Sequence, residues 1–264
     1  MSTWNAISIK QMKGRQKLAC LTAYDFSIAK LVDEAGIPLI LVGDSLAMTM
    51  LGHETTLPVT MDEMVHHTKC VSRAVKHALV VGDMPFMSFQ ASEDLAVANA
   101  GRIIKEAGAG AVKIEGGAPR AHLVKRLVEN GIAVMGHIGL TPQSVHQAGG
   151  YHVEGRTAED ADRLLADARA LQEAGAFAMV LECVPAALGM EITRAVNVPT
   201  IGIGAGPDCD GQILVVHDLL GLQTELSPKF VKRYATIGDS MTDAFNAYKR
   251  DVESGDYPTE EHSY

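Results

Sequence analysis

A closed (β/α)8 barrel (a TIM barrel), opened by a short N-terminal helix and continued by a C-terminal helical extension, is the fold this sequence predicts. Residues 1–264 are read as a single domain of this kind. Three observations carry the expectation. Apolar runs end abruptly on an acid: Leu39-Ile40-Leu41-Val42-Gly43-Asp44, Leu79-Val80-Val81-Gly82-Asp83, Val112-Lys113-Ile114-Glu115 and Met179-Val180-Leu181-Glu182. Runs of that kind, bounded by turn residues, suit strands buried on both faces, as in a parallel sheet. An acid–X–Gly join recurs before such strands, at Glu34-Ala35-Gly36, Glu106-Ala107-Gly108, Glu129-Asn130-Gly131 and Glu173-Ala174-Gly175. Finally, the length of 264 residues matches the ~250 typical of one such barrel.

The elements follow in order. Ile7, Ile9 and Met12 give the opening helix an apolar side. Residues 18–24 read as the first strand, and a helix from about 25 to 35 stops at Gly36, a residue free to adopt the left-handed conformation. Thr60 with Glu63 forms a capping box for a helix running to about His77, and Ser92 caps the next. In that helix Ala96, Ala100, Ile103, Ile104 and Ala107 recur at helical spacing. Strands are expected near 18–24, 39–44, 79–83, 111–115, 133–138, 177–183, 199–204 and 212–217, with a helix in most intervals and too little room for one between 206 and 211. An open doubly wound sheet also alternates strands with helices, but eight strands whose acids must converge favour closure. The polar stretch 46–58, holding Gly52-His53-Glu54-Thr55-Thr56, is read as a long site loop.

Composition narrows the function. A net charge of −9 and a pI near 5.5 disfavour nucleic-acid and anionic-membrane partners. Cys20, Cys70, Cys183 and Cys209 form no C-x-x-C pair, so no zinc cluster or disulfide framework is indicated, and Cys20 and Cys183 read as buried thiols. No apolar run reaches the roughly 20 residues of a membrane span. Lys10, Lys13, Arg15 and Lys17 resemble the basic part of a transit peptide, but the opening helix is the preferred reading and the cytoplasm the expected address.

Parallel barrel strands present their C-terminal ends on one rim, so four acid-terminated strands bring four acids to one pocket. Asp44, Asp83 and Glu115 offer hard oxygen ligands suited to Mg2+; solvated turn formers remain the plainer alternative. Lys113, two before Glu115, points to the same side, where it serves a substrate anion or an internal ion pair. Glu182 follows an apolar run, a setting that makes a carboxylate a better base, with a further metal-shell acid or a salt bridge as alternatives. His137 lies at a rim position among glycines, in Gly136-His137-Ile138-Gly139. His53, His66, His67, His146 and His152 read as surface or loop residues. Gly202-Ile203-Gly204-Ala205-Gly206 lacks a helix in register to receive a phosphate and reads as close backbone packing.

Several of these segments together resemble the ketopantoate (3-methyl-2-oxobutanoate) hydroxymethyltransferase family. They are Gly43-Asp44-Ser45-Leu46, Gly52-His53, Thr56-Leu57-Pro58-Val59-Thr60, Asp83-Met84-Pro85-Phe86, Val112–Gly117, Gly136–Ser144, Gly149-Gly150-Tyr151, Leu181–Pro185, Ile201–Gly206, Asp210–Val215 and Glu261-His262-Ser263. The resemblance implies transfer of a one-carbon unit from 5,10-methylenetetrahydrofolate to 3-methyl-2-oxobutanoate, giving 2-dehydropantoate on the route to pantothenate. It also implies Mg2+ at Asp44, Asp83 and Glu115, contacts from Asp44, Ser45, Asp83 and Lys113 to the oxo acid, Glu182 as proton acceptor, and a homodecamer. His137 is placed to hydrogen-bond the new hydroxyl. Ala47, His152 and Glu154 depart from the expected pattern, in loops only. A Mg2+-dependent carbon–carbon lyase or phosphoenolpyruvate mutase, and a noncatalytic barrel, are the alternatives.

Overall fold

The structure, a computed structural model, describes residues 3–222 and 228–264. The chain forms two compact units, Met1–Leu214 and Val215–Tyr264. The first is a closed barrel of eight parallel strands in sequential order: β1 (Leu18–Thr22), β2 (Leu39–Val42), β3 (Leu79–Asp83), β4 (Ala111–Glu115), β5 (Val134–Gly139), β6 (Ala178–Glu182), β7 (Thr200–Ile203) and β8 (Gly211–Leu214). Cys20 pairs with both Leu39 of β2 and Ile213 of β8, which closes the cylinder.

The helices of this unit are α1 (Ala6–Lys10), α2 (Phe26–Glu34), α3 (Leu46–Thr49), α4 (Met61–Ala74), α5 (Glu93–Lys105), α6 (Ala121–Glu129), α7 (Val145–Ala148), α8 (Ala158–Glu173) and α9 (Ala186–Ala195). Their starts follow the expected caps: Thr60 and Glu63 satisfy each other's backbone amides, and Ser92 accepts from the amide of Leu95. As the spacing implied, β7 and β8 are joined without a helix. The glycine-rich segment is held by close approach, since a Cβ on Gly206 would lie 2.5 Å from that of Ala186.

The opening helix closes the N-terminal end of the barrel. Ile9 is fully buried and clusters with Leu18, Leu39 and Leu79, the first residues of β1, β2 and β3. Burying such a side chain stabilises by about 1.5–3 kcal/mol. Below the sheet Lys13 pairs with Asp210 at 2.8 Å, and Asp210 also accepts from the amide of Thr200. The opposite end is left for chemistry.

Some boundaries differ from expectation. The stretch after β2 begins as helix α3 rather than as loop. β8 stops at Leu214 because Val215 and Val216, which continue its apolar run, cap and open a helix. The second unit comprises α10 (Val216–Leu220) and α11 (Ile237–Ser254), the expected helical extension. Among the described residues no helix is long and apolar enough to cross a membrane.

Candidate active site

The C-terminal ends of β2 to β6 bring the expected residues together. Asp83, Glu115 and Glu182 are the last residues of β3, β4 and β6, Asp44 lies just beyond β2, and His137 lies within β5. One carboxylate oxygen from each of Asp44, Asp83 and Glu115 falls within 4.8 Å of the others, and all three residues are buried. The arrangement is braced from the backbone, because the amide of Asp44 donates to Asp83 Oδ2 at 3.1 Å.

Lys113 and Glu115 share the inner side of β4, and sheet register sets Lys113 beside Asp83. The buried ammonium lies 3.0 Å from Asp83 Oδ2 and 3.5 Å from Glu115 Oε1. Burial opposes its charge, but Asp83, Glu115 and Asp44 outweigh burial and hold its pKa well above the ordinary lysine value. The substrate-anion and internal-pair readings of Lys113 are compatible in this geometry. One ammonium against three carboxylates leaves an excess of negative charge. Accordingly, burial first, then Asp83 and Glu115, push the Asp44 carboxyl well above the usual range. A bound cation would reverse that sign.

His137 spans the two acid groups. Its Nδ1 lies 3.1 Å from Lys113 Nζ and 3.3 Å from Glu115 Oε1; its Nε2 lies 3.1 Å from Glu182 Oε2, off the hydrogen-bond line. Burial and Lys113 oppose protonation, but Glu115 and Glu182 prevail and raise the ring to about 9. Lys113, itself a donor, can bond only an unprotonated Nδ1, whereas the protonated ring has Glu115 as the acceptor for Nδ1–H. In both forms Nε2 carries a proton facing Glu182. Glu182 is not enclosed in an apolar pocket as its run suggested: its side chain is 18% exposed, at the opening of the site. Ser45 is half-buried, and its hydroxyl lies 2.8 Å from that of fully buried Tyr24.

The donor set fits a hard cation. It is all oxygen, and Asp83 Oδ1 is buried with no hydrogen-bond partner, an arrangement folded proteins seldom leave unfilled.

Comparison with known proteins then decides the family. The model of the family described as ketopantoate hydroxymethyltransferase matches residues 3–260. The chain belongs to that family. Among its relatives, the 3-methyl-2-oxobutanoate hydroxymethyltransferase of Clostridium novyi (strain NT) is 58% identical over 97% of this chain and 93% of that one. The protein of that name from Pelobacter propionicus is 55% identical over 97% and 95%. Membership makes the chain a transferase of hydroxymethyl groups in pantothenate synthesis. Solved structures of similar fold include phosphoenolpyruvate phosphomutase from Streptomyces platensis subsp. rosaceus, with TM-score 0.64, 14% identity and 95% and 88% of the two chains covered. A 2,3-dimethylmalate lyase gives 0.62, 14%, and 98% and 91%. At such identity these share the barrel alone.

The sequence reading missed several contacts around this hydroxymethyltransferase site. Gln143, in the stretch after β5, is buried against Asp44 and Glu115, although only its place in Thr141-Pro142-Gln143-Ser144 had marked it. His67, expected at the surface, is half-buried on α4, its Nδ1 2.7 Å from the carbonyl of Tyr24. Cys20 is buried as expected, and burial pushes its thiol up to about 12, whereas Cys183 is only half-buried and adopts φ +48° beside Glu182. The departures His152 and Glu154 pair with each other at 2.8 Å.

Proposed function

We propose that this chain transfers the one-carbon unit of 5,10-methylenetetrahydrofolate to 3-methyl-2-oxobutanoate, forming 2-dehydropantoate, with Mg2+ as cofactor and Glu182 as base. The observation that carries the reading is the buried three-acid cluster, in which Asp83 Oδ1 has no partner, set within one histidine of a fourth, accessible carboxylate.

Asp44, Asp83 and Glu115 would hold the ion. When bound, Mg2+ supplies a Lewis acid that stabilises negative charge developing on the keto oxygen of the oxo acid. Water adds at the folate methylene, both of its C–N bonds break, and tetrahydrofolate leaves with the one-carbon unit at the level of formaldehyde. Glu182, at the opening, accepts the C3 proton of the oxo acid, the carbanionic C3 adds to that carbon, and the alkoxide formed takes up a proton as the new hydroxyl. His137 keeps Nε2 3.1 Å from Glu182 Oε2 and would hydrogen-bond the new hydroxyl. Lys113 sets positive charge beside the bound acid, and the hydroxyl of Ser45, fixed by Tyr24, meets its polar end. Asp44 and Asp83 contribute to both metal and oxo-acid binding.

Proton NMR of 3-methyl-2-oxobutanoate in D2O tests this with protein and Mg2+, with and without methylenetetrahydrofolate. Loss of the C3–H signal, and a hydroxymethyl resonance only when folate is present, are the expected results. Neither change, from folded and metal-loaded protein, sinks the reading and brings forward the lyase or mutase chemistry. In the same proposal the protein works in the cytoplasm and assembles as a homodecamer, which sedimentation of the purified chain checks.

A further inference from the structure

We infer that Gln143 is the positioning residue of the acid cluster, and that Gln90 fixes the orientation in which it does so. The inference rests on the metal reading above. Asp44 and Glu115 come from strand ends that are not neighbours in the barrel, and Gln143 joins them: its side-chain Nε2 donates to Asp44 Oδ2 at 3.0 Å, and its backbone amide donates to Glu115 Oε2 at 3.1 Å. Each donation occupies one oxygen of its carboxylate. Glu115 is thereby left with Oε1 on the side of Lys113 and His137, at 3.5 and 3.3 Å. Gln143 thus orients two of the three carboxylates, Asp44 through its side-chain amide and Glu115 through its backbone amide.

An amide that turned over would present Oε1 to Asp44, one acceptor against another. Two contacts prevent this. Nε2 also donates to the carbonyl of Met84 at 2.9 Å, and a carbonyl can only accept. On the other side Gln90 Nε2 donates to Gln143 Oε1 at 3.1 Å, while Gln90 Oε1 accepts from the amide of Phe89 at 3.3 Å. The series from the Phe89 amide through Gln90 and Gln143 to Asp44 has one consistent direction, and each member determines the next. Partners of this kind, bonded to ligands rather than to the ion, typically govern metal affinity by 10–100-fold. None of the chemistry already assigned uses Gln90 or Gln143.

Calorimetric titration with Mg2+, and with Mn2+ as a second probe, on the full chain without substrate provides the test. Gln143→Met, which keeps length and removes the donor, is expected to raise both dissociation constants about 10–100-fold. The metal-free variant loses buried hydrogen bonds and should unfold at a lower temperature than the wild type. The separating readout is the rise in Tm that added Mg2+ produces, which should shrink in the variant and which a merely structural role would leave unchanged. Gln90→Ala touches no acid, so its expected effect is smaller, about 3–10-fold, in the same direction. If Gln143→Met does not fold, the Gln90→Ala titration decides. Wild-type protein that binds neither ion refutes the metal reading itself. Wild-type binding, with affinity within twofold in the folded variants, overturns the inference and leaves that reading standing.

Discussion

Replacing Lys113 with Met should convert the acid cluster from a compensated to an uncompensated buried charge. Methionine is close in length and apolar, so the change removes charge with little loss of volume. At an effective dielectric of about 20, each of the contacts at 3.0 Å to Asp83 and 3.5 Å to Glu115 is worth about 5 kcal/mol of gross attraction. The ammonium's own desolvation offsets much of this. The net cost of breaking such a pair, which leaves the acids buried without their cation, is about 3–5 kcal/mol. At about 2–4 °C per kcal/mol for a chain of this size, Tm of the metal-free variant should fall by about 6–20 °C.

The pH dependence gives the loss a signature. Without Lys113, burial and mutual repulsion raise the folded-state pKa values of Asp83 and Glu115 above the unfolded values near ~4. A group so raised contributes stability that is present below its unfolded pKa and is lost as pH rises through its folded pKa. The deficit against wild type should therefore be small near pH 5 and large at pH 8. Calorimetric scans at both values, with chelator present, measure it. A deficit under about 2 °C at pH 8, or an equal deficit at both pH values, refutes the claim that the lysine compensates these acids.

Three further perturbations test other parts of the site and frame. Glu182→Gln should bind the oxo acid nearly as wild type does but exchange its C3 proton about 10²–10⁴-fold more slowly, and unchanged exchange removes Glu182 from the role of base. Gly139 has φ +94°, and a Cβ there would lie 2.2 Å from the carbonyl oxygen of Glu182, so Gly139→Ala should lower Tm and cut kcat about 100-fold by shifting that residue; an unaltered kcat counts against the placement of Glu182. Burial alone would raise the Asp33 carboxyl, but amides of Lys76, Ala78 and His77 at 2.8–3.0 Å outweigh it and hold the group below the carboxylate range. Asp33→Ala should cost about 3 kcal/mol at neutral pH. A lowered folded pKa gives stability that is present above the unfolded pKa and lost as pH falls through the folded one, so the variant's deficit should shrink below about pH 4. A deficit that persists undiminished at pH 2 contradicts this account.

What was legible in the sequence divides according to what carries each group. Asp83, Glu115 and Glu182 could be placed on one rim because each ends a strand, and parallel closure leaves a strand-end residue no other side of the barrel. Lys113 could be aimed at Glu115 because the period of a strand is two. Residues on loops have no such period. Gln143 and Asp44 are 99 positions apart, and their bond depends on how the stretch after β5 lies across the rim, which Thr141-Pro142-Gln143 does not encode locally. His67 was missed for a related reason: α4 is amphipathic, but no pattern within it tells that one of its edges meets the carbonyl of Tyr24. Glu182 shows the opposite error. Its apolar run describes the strand beneath it, whereas the group itself stands where the strand ends and the opening begins, so a burial inferred from the run does not extend to its last residue. The acids that would hold an ion are thus fixed by the barrel, and their fine orientation by loops that the barrel leaves free. On the metal reading proposed above, substitutions at Gln90 and Gln143 would retune the affinity for the ion without moving a single strand-borne acid.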